Sequence, residues 1–118
     1  MRVLVVDDEI GIGKAIRRML ASDHEVVIET DPVAARERLA RERFDVVFCD
    51  LVMPSMTGMD LYESVAASAP DVAARFVFIT AGAFSERSEE LLNTTKNPYL
   101  LKPFTREDIL RVLESLRG

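Results

Sequence analysis

Four short apolar runs in this chain end on side chains able to do chemistry. Asp7 and Asp8 follow residues 3–6, Asp50 follows 46–49, Thr80 follows 76–79 and Lys102 follows 99–101. Three carboxylates brought to one place repel and raise one another's pKa values unless a cation lies among them. Oxygen ligands with no histidine or cysteine in the group favour a hard cation, Mg²⁺ before Ca²⁺. Such an ion is held by a few carboxylates together with waters and substrate phosphates, and an open cluster of this kind leaves room for both.

Each residue taken alone has a plainer reading. Asp8 could be a cap or turn former, Thr80 an ordinary β-branched strand residue, and Lys102, placed before Pro103, an exposed loop lysine. The set is what carries weight. In an open α/β sheet, ligands bind outside the carboxyl ends of the strands at the topological switch point, and every one of these residues directly follows a predicted strand.

The strands are Val3-Leu4-Val5-Val6, Val26-Val27-Ile28, Val46-Val47-Phe48-Cys49, Phe76-Val77-Phe78-Ile79 and Tyr99-Leu100-Leu101. The first, third and fourth are apolar without alternation, the pattern of parallel strands covered on both faces. The second ends at Glu29-Thr30, which offers no comparable chemistry. Helical patterns lie between the strands. Ile12, Ala15, Ile16, Met19 and Leu20 make one apolar face. Asp31-Pro32 is an N-cap with proline in the first turn, opening a helix through Ala35 and Leu39. A third helix starts near Thr57-Gly58 and carries Leu61 and Val65, and a short polar fourth runs from Ser85 to the stretch 93–97. Thr105 and Asp108 form a capping-box pattern ahead of Ile109, Val112, Leu113 and Leu116. The order is (βα)₅, an α/β chain whose right-handed crossovers place helices on both faces of one parallel sheet.

The 118 residues match one compact domain, expected to run from 1 to 118 without repeat or linker. A net charge of −5 and a pI near 4.9 argue against nucleic-acid binding, and the scattered lysines and arginines argue against a membrane anchor. No apolar stretch approaches bilayer length. Acids at Asp7, Asp8 and Glu9 interrupt any signal-peptide core, and Cys49 is the sole cysteine, so a cytoplasmic location is expected.

Val-Val-Asp-Asp-Glu at 5–9, Asp50-Leu51-Val52-Met53-Pro54 with Gly58, Thr80-Ala81-Gly82 and Lys102-Pro103-Phe104 together resemble the receiver domains of bacterial response regulators. The resemblance covers essentially the whole chain. Residues 76–104 look most like receivers fused to hybrid histidine kinases. The family pattern implies a flavodoxin-like sheet with strand order 2-1-3-4-5. It implies that Asp50 is the phosphoacceptor, taking a phosphoryl group from the phosphohistidine of a histidine kinase or histidine phosphotransfer domain. Asp8 and Asp50 would hold Mg²⁺ directly, Asp7 largely through water, and the Val52 carbonyl would complete the protein ligands. Lys102 would pair with one phosphoryl oxygen and Thr80 with another. Tyr99 matches the aromatic switch position, and the Lys102–Pro103 bond would be cis. The output surface would be the fourth helix, fifth strand and fifth helix, where an effector or a second copy could dock. Beyond catalysing its own phosphorylation and dephosphorylation, such a module is not an enzyme.

Other residues have duller explanations. His24, the only histidine, reads as an exposed loop imidazole, and Cys49 as a small core hydrophobe. Glu9 reads as a helix-start residue or modulator rather than a ligand. Gly11 and Gly13 lack the Gly-Lys-Ser/Thr of a phosphate loop. Met53, Met56 and Met59 read as packing around the loop after Asp50. A hydrolase that uses a nucleophilic aspartate would carry a second carboxylate two residues on as its acid–base, and Val52 cannot move a proton.

Overall fold

In the computed structural model, which describes residues 1–20, 22–51, 57–81 and 86–117, five parallel strands form one sheet. They are β1 (Arg2–Val6), β2 (Glu25–Glu29), β3 (Val46–Asp50), β4 (Phe76–Thr80) and β5 (Tyr99–Leu101), in the order β2-β1-β3-β4-β5. The apolar runs without alternation are the three interior strands. Every residue of β3 and β4 is buried, as are four of the five in β1, whereas the edge strands β2 and β5 are partly exposed. Neighbours on both sides and helices on both faces leave the interior strands no water to meet.

Alternation of side chains divides the core between the two faces. Leu4, Val6, Val47, Cys49, Phe76 and Phe78 point to one side, where they meet Ala35 of α2 (Pro32–Arg41), Leu61 and Val65 of α3 (Gly58–Ser68) and Leu91 of α5 (Glu86–Thr95). Val3, Val5, Val46, Phe48, Val77 and Ile79 point to the other. There they pack on Ile16 and Leu20 of α1 (Ile10–Leu20) and on Ile109 and Leu113 of α6 (Arg106–Arg117).

The helix starts follow the expected chemistry. The Asp31 side chain accepts a hydrogen bond from the Val33 N–H, and Thr105 and Asp108 exchange side-chain and backbone bonds as a capping box. Thr57 and Asp60 form a second capping box at the head of α3. One element exceeds the expected set: α4 (Pro70–Ala73), a single turn between α3 and β4. The helix expected fourth is therefore α5, and its expected start at Ser85 lies outside the described residues; the helix expected last is α6. No helix among the described residues is long and apolar enough to cross a membrane.

Candidate phosphoacceptor site

β1 and β3 lie side by side at the centre, but the chain leaves them in opposite directions, β1 toward β2 and β3 toward β4. That reversal opens a crevice at their carboxyl ends, the switch point at which ligands bind. Asp7 follows β1 and is fully buried, because its N–H still joins the ladder through the Glu29 carbonyl at 3.3 Å. Asp8, one residue further, is exposed. Asp50 is the last residue of β3 and is 7% exposed. One carboxylate oxygen each from Asp7, Asp8 and Asp50 lies within 4.8 Å of the others.

Lys102 enters from the next strand but one. Its backbone N–H donates to the Thr80 carbonyl at 2.8 Å, continuing the β4–β5 ladder. Its Nζ then stands 3.4 Å from Asp7 Oδ2, 3.6 Å from Asp50 Oδ2 and 3.7 Å from Glu9 Oε1. Burial disfavours the ammonium's charge, but the Asp50, Asp7 and Glu9 carboxylates outweigh it and hold the lysine pKa above its ordinary value. The Lys102–Pro103 peptide bond is cis. Thr80, the last residue of β4, is buried.

Asp7 carries the electrostatic strain of the cluster. Burial pushes its pKa up to about 6; the Glu9 N–H donated to Oδ1 at 2.9 Å pulls it down, and the Asp50 charge pushes it up again. Among the described residues its buried Oδ2 accepts no hydrogen bond, and the Lys102 ammonium stands 3.4 Å from it. A buried carboxylate oxygen without a hydrogen bond, beside two more carboxylates, suits a hard divalent cation. The donor set fits Mg²⁺.

Residues 3–114 match the family model described as the response regulator receiver domain. The chain belongs to that family. Response regulator MprA of Mycobacterium leprae (strain TN) is 31% identical over 117 residues, 98% of this chain and 50% of the relative. The chain thus spans about half the length of the curated relatives it matches. Among solved structures, the receiver domain of sensor histidine kinase PA1611 from Pseudomonas aeruginosa PAO1 is similar at 26% identity and TM-score 0.84, covering 99% of this chain and 98% of that one. That structure has a magnesium ion coordinated in its active-site cleft. Chemotaxis protein CheY4 of Vibrio cholerae is similar at 27% identity and TM-score 0.83, covering 98% and 97%. The receiver domain is thus a module phosphorylated on aspartate in two-component signalling.

The fold of this receiver brings Asp7, Asp8, Asp50 and Lys102 into one cluster. Tyr99 stands apart on the edge strand β5, 47% exposed and in register with Phe78. Val52, Met53 and Met56 lie outside the described residues. Met59, in the first turn of α3, is buried in the core, as a packing residue should be. Cys49 is fully buried, and burial drives its thiol far above its ordinary pKa, so it is a core residue. His24 corrects the expectation of an exposed loop imidazole: it is half-buried, and the terminal ammonium of Met1 donates to its Nδ1 at 3.1 Å. It precedes β2, at the opposite end of the sheet from Asp50. Sequence reasoning missed Glu9 as the third partner of Lys102. Its signal was only an acid next to two others.

Proposed function

We propose that Asp50 accepts the phosphoryl group and that Asp7, Asp8, Lys102 and Thr80 make the acceptance possible. The observation that carries this reading is the cluster itself: three carboxylates within 4.8 Å at the switch point, with the Lys102 ammonium 3.6 Å from Asp50. An oxygen of the Asp50 carboxylate attacks the phosphorus of a partner's phosphohistidine. The new O–P bond forms as the P–N bond breaks, and the departing imidazole nitrogen keeps the bonding pair and takes up a proton. Asp7, Asp8 and Asp50 would hold Mg²⁺, with the Val52 carbonyl as a further ligand. When bound, the ion neutralises charge on the equatorial oxygens of the transferring group. Lys102, kept cationic by its three carboxylate neighbours, pairs with one such oxygen. The Thr80 hydroxyl donates to another once the group is in place, and Tyr99 then has room to turn inward.

Catalysis of its own phosphorylation and dephosphorylation is the whole enzymatic content of this reading. We read residues 1–118 as one domain, since the sheet and both helical layers draw on elements from Arg2 to Arg117. The donor is a histidine kinase or histidine phosphotransfer domain. An apolar cleft of about 410 Å³ between Ile12, Ala15 and Met19 on α1 and Pro103-Phe104 after Lys102 would receive its helical bundle beside the site. The output face is α5, β5 and α6, where Tyr99 and Leu101 stand exposed for an effector or a second copy. A cytoplasmic location belongs to the same reading, supported by a single buried cysteine.

Acetyl phosphate and Mg²⁺, read by intact mass, test the proposal. The protein should gain one phosphoryl mass, lose that capacity with a chelator, and lose it in Asp50→Asn. Phosphorylation of Asp50→Asn at the wild-type rate would overturn the assignment.

A further inference from the structure

Gly58 opens α3, and its position is set by how closely that helix approaches the end of β3. Its N–H donates to the Leu51 carbonyl at 3.0 Å, so the first turn of α3 rests on the backbone that carries Asp50. A Cβ on residue 58 would stand 1.9 Å from the Asp50 carbonyl oxygen, 2.8 Å from its carbonyl carbon and 2.9 Å from Leu51 Cα. All three are backbone atoms, so no side chain can swing aside to make room. The contrast is Gly13 on α1, whose added Cβ would meet only the side chain of Ile28. From these contacts we infer that Gly58 is a positioning residue for phosphoryl acceptance: the missing Cβ lets α3 close on β3 and fixes the Asp50 backbone in the register that the carboxylate cluster requires.

Both sides of this contact are held elsewhere. β3 is paired with β1 and β4 along its length, and the Leu51 N–H donates to the Ile79 carbonyl at 3.0 Å. α3 is pinned by Leu61 and Val65 in the core and by the Thr57–Asp60 capping box at its head. The Asp60 carboxylate is further tied to Arg87 of α5 at 2.8 Å. An added methyl group must therefore tilt the Asp50 peptide or lift the first turn of α3. The first moves the Asp50 carboxylate relative to Asp7, Asp8 and Lys102 directly, and the second breaks the Gly58 N–H bond to the Leu51 carbonyl that steadies the backbone next to Asp50. Displacements of about 1 Å at a reacting group can cost up to about a hundredfold in rate.

The inference rests on Asp50 being the phosphoacceptor, and its test separates the two. In Gly58→Ala, metal-free amide resonances of Cys49, Asp50 and Leu51 should shift, Mg²⁺ affinity by calorimetry should fall at least about tenfold, and phosphorylation by acetyl phosphate should slow at least about tenfold. Val65→Ala, on the same helix but two turns away, serves as the control for simple destabilisation. It should melt earlier while keeping those resonances, the Mg²⁺ affinity and the rate within about twofold of wild type. If Gly58→Ala does not fold, Thr57→Ala loosens the same turn without an intruding atom and must weaken Mg²⁺ binding more than Val65→Ala does. Wild-type resonances and affinity in Gly58→Ala would overturn the inference, as would equal losses in Val65→Ala, or a Thr57→Ala no weaker in Mg²⁺ binding than Val65→Ala. Undiminished phosphorylation of Asp50→Asn would instead overturn the assignment on which it rests.

Discussion

Replacing Asp7 by asparagine should stabilise the metal-free protein at neutral pH, and the gain should vanish in acid. The Asp7 carboxyl is fully buried and its pKa is raised from 3.8 to about 6 in the fold. Below about pH 4 the group is protonated in both folded and unfolded chains and costs nothing. Between about pH 4 and 6 the folded chain keeps a proton that the unfolded chain has lost, so stability falls as pH rises. Above the folded pKa both are ionised and the penalty is complete, at roughly 3 kcal/mol for a shift of about two units.

In Asp7→Asn the amide would keep an oxygen to accept the Glu9 N–H and would carry no charge at any pH. The lost attraction to Lys102 is already contained in the shift, because Lys102 pulls the Asp7 pKa down. At roughly 4 °C per kcal/mol for a domain of this size, the variant should melt about 10 °C above wild type at pH 7.5 in EDTA. At about pH 4 the two should nearly coincide. Saturating Mg²⁺ should raise the wild-type melting temperature and close much of the neutral-pH gap, since a ligand that binds only the folded state stabilises it. Calorimetric scans of both proteins across that pH range decide the matter. A gap that does not depend on pH, or a variant less stable than wild type at neutral pH, would show that the Asp7 charge is not what the fold strains against.

Three further outcomes are expected. A beryllofluoride phosphoryl mimic should shift backbone resonances mainly across residues 80–104, as Thr80 is drawn in and Tyr99 turns, and a response confined to the metal pocket would count against this population shift. Charge reversal at the exposed Lys14 and Arg18 of α1 should slow phosphotransfer from the cognate kinase without changing the rate with acetyl phosphate, and unchanged transfer would place the docking face elsewhere. Asn97→Ala should cost about 2 kcal/mol in urea unfolding, because the Asn97 amide donates to the Ala73 and Phe76 carbonyls, both at 2.9 Å, and its loss leaves both without that donor.

The strands and helix starts were legible because local chemistry decides them. Uninterrupted apolar runs mark strands shielded on both faces, and Asp31-Pro32 or Thr105 with Asp108 satisfy orphan N–H groups wherever the helix lies. The turn at Pro70–Ala73 was not legible, since four residues show no periodicity. Nor was the environment of His24, which depends on a chain terminus meeting it 23 residues away in sequence.

Within the site, residue types were legible and the differences among them were not. Asp7 and Asp8 are chemically identical neighbours, yet one is buried and the other exposed, because Asp7 still takes part in the sheet ladder and Asp8 does not. That one-residue difference in where pairing stops gives a raised pKa to Asp7 and leaves Asp8 open to solvent. Gly58 shows the same limit from the other side. A glycine at a helix start is ordinary in sequence, and only the approach of α3 to the Asp50 carbonyl shows that any side chain there would collide with backbone. The carboxylates name the chemistry of this receiver, but its geometry rests on a strand that runs one residue further and on a methyl group that is not there.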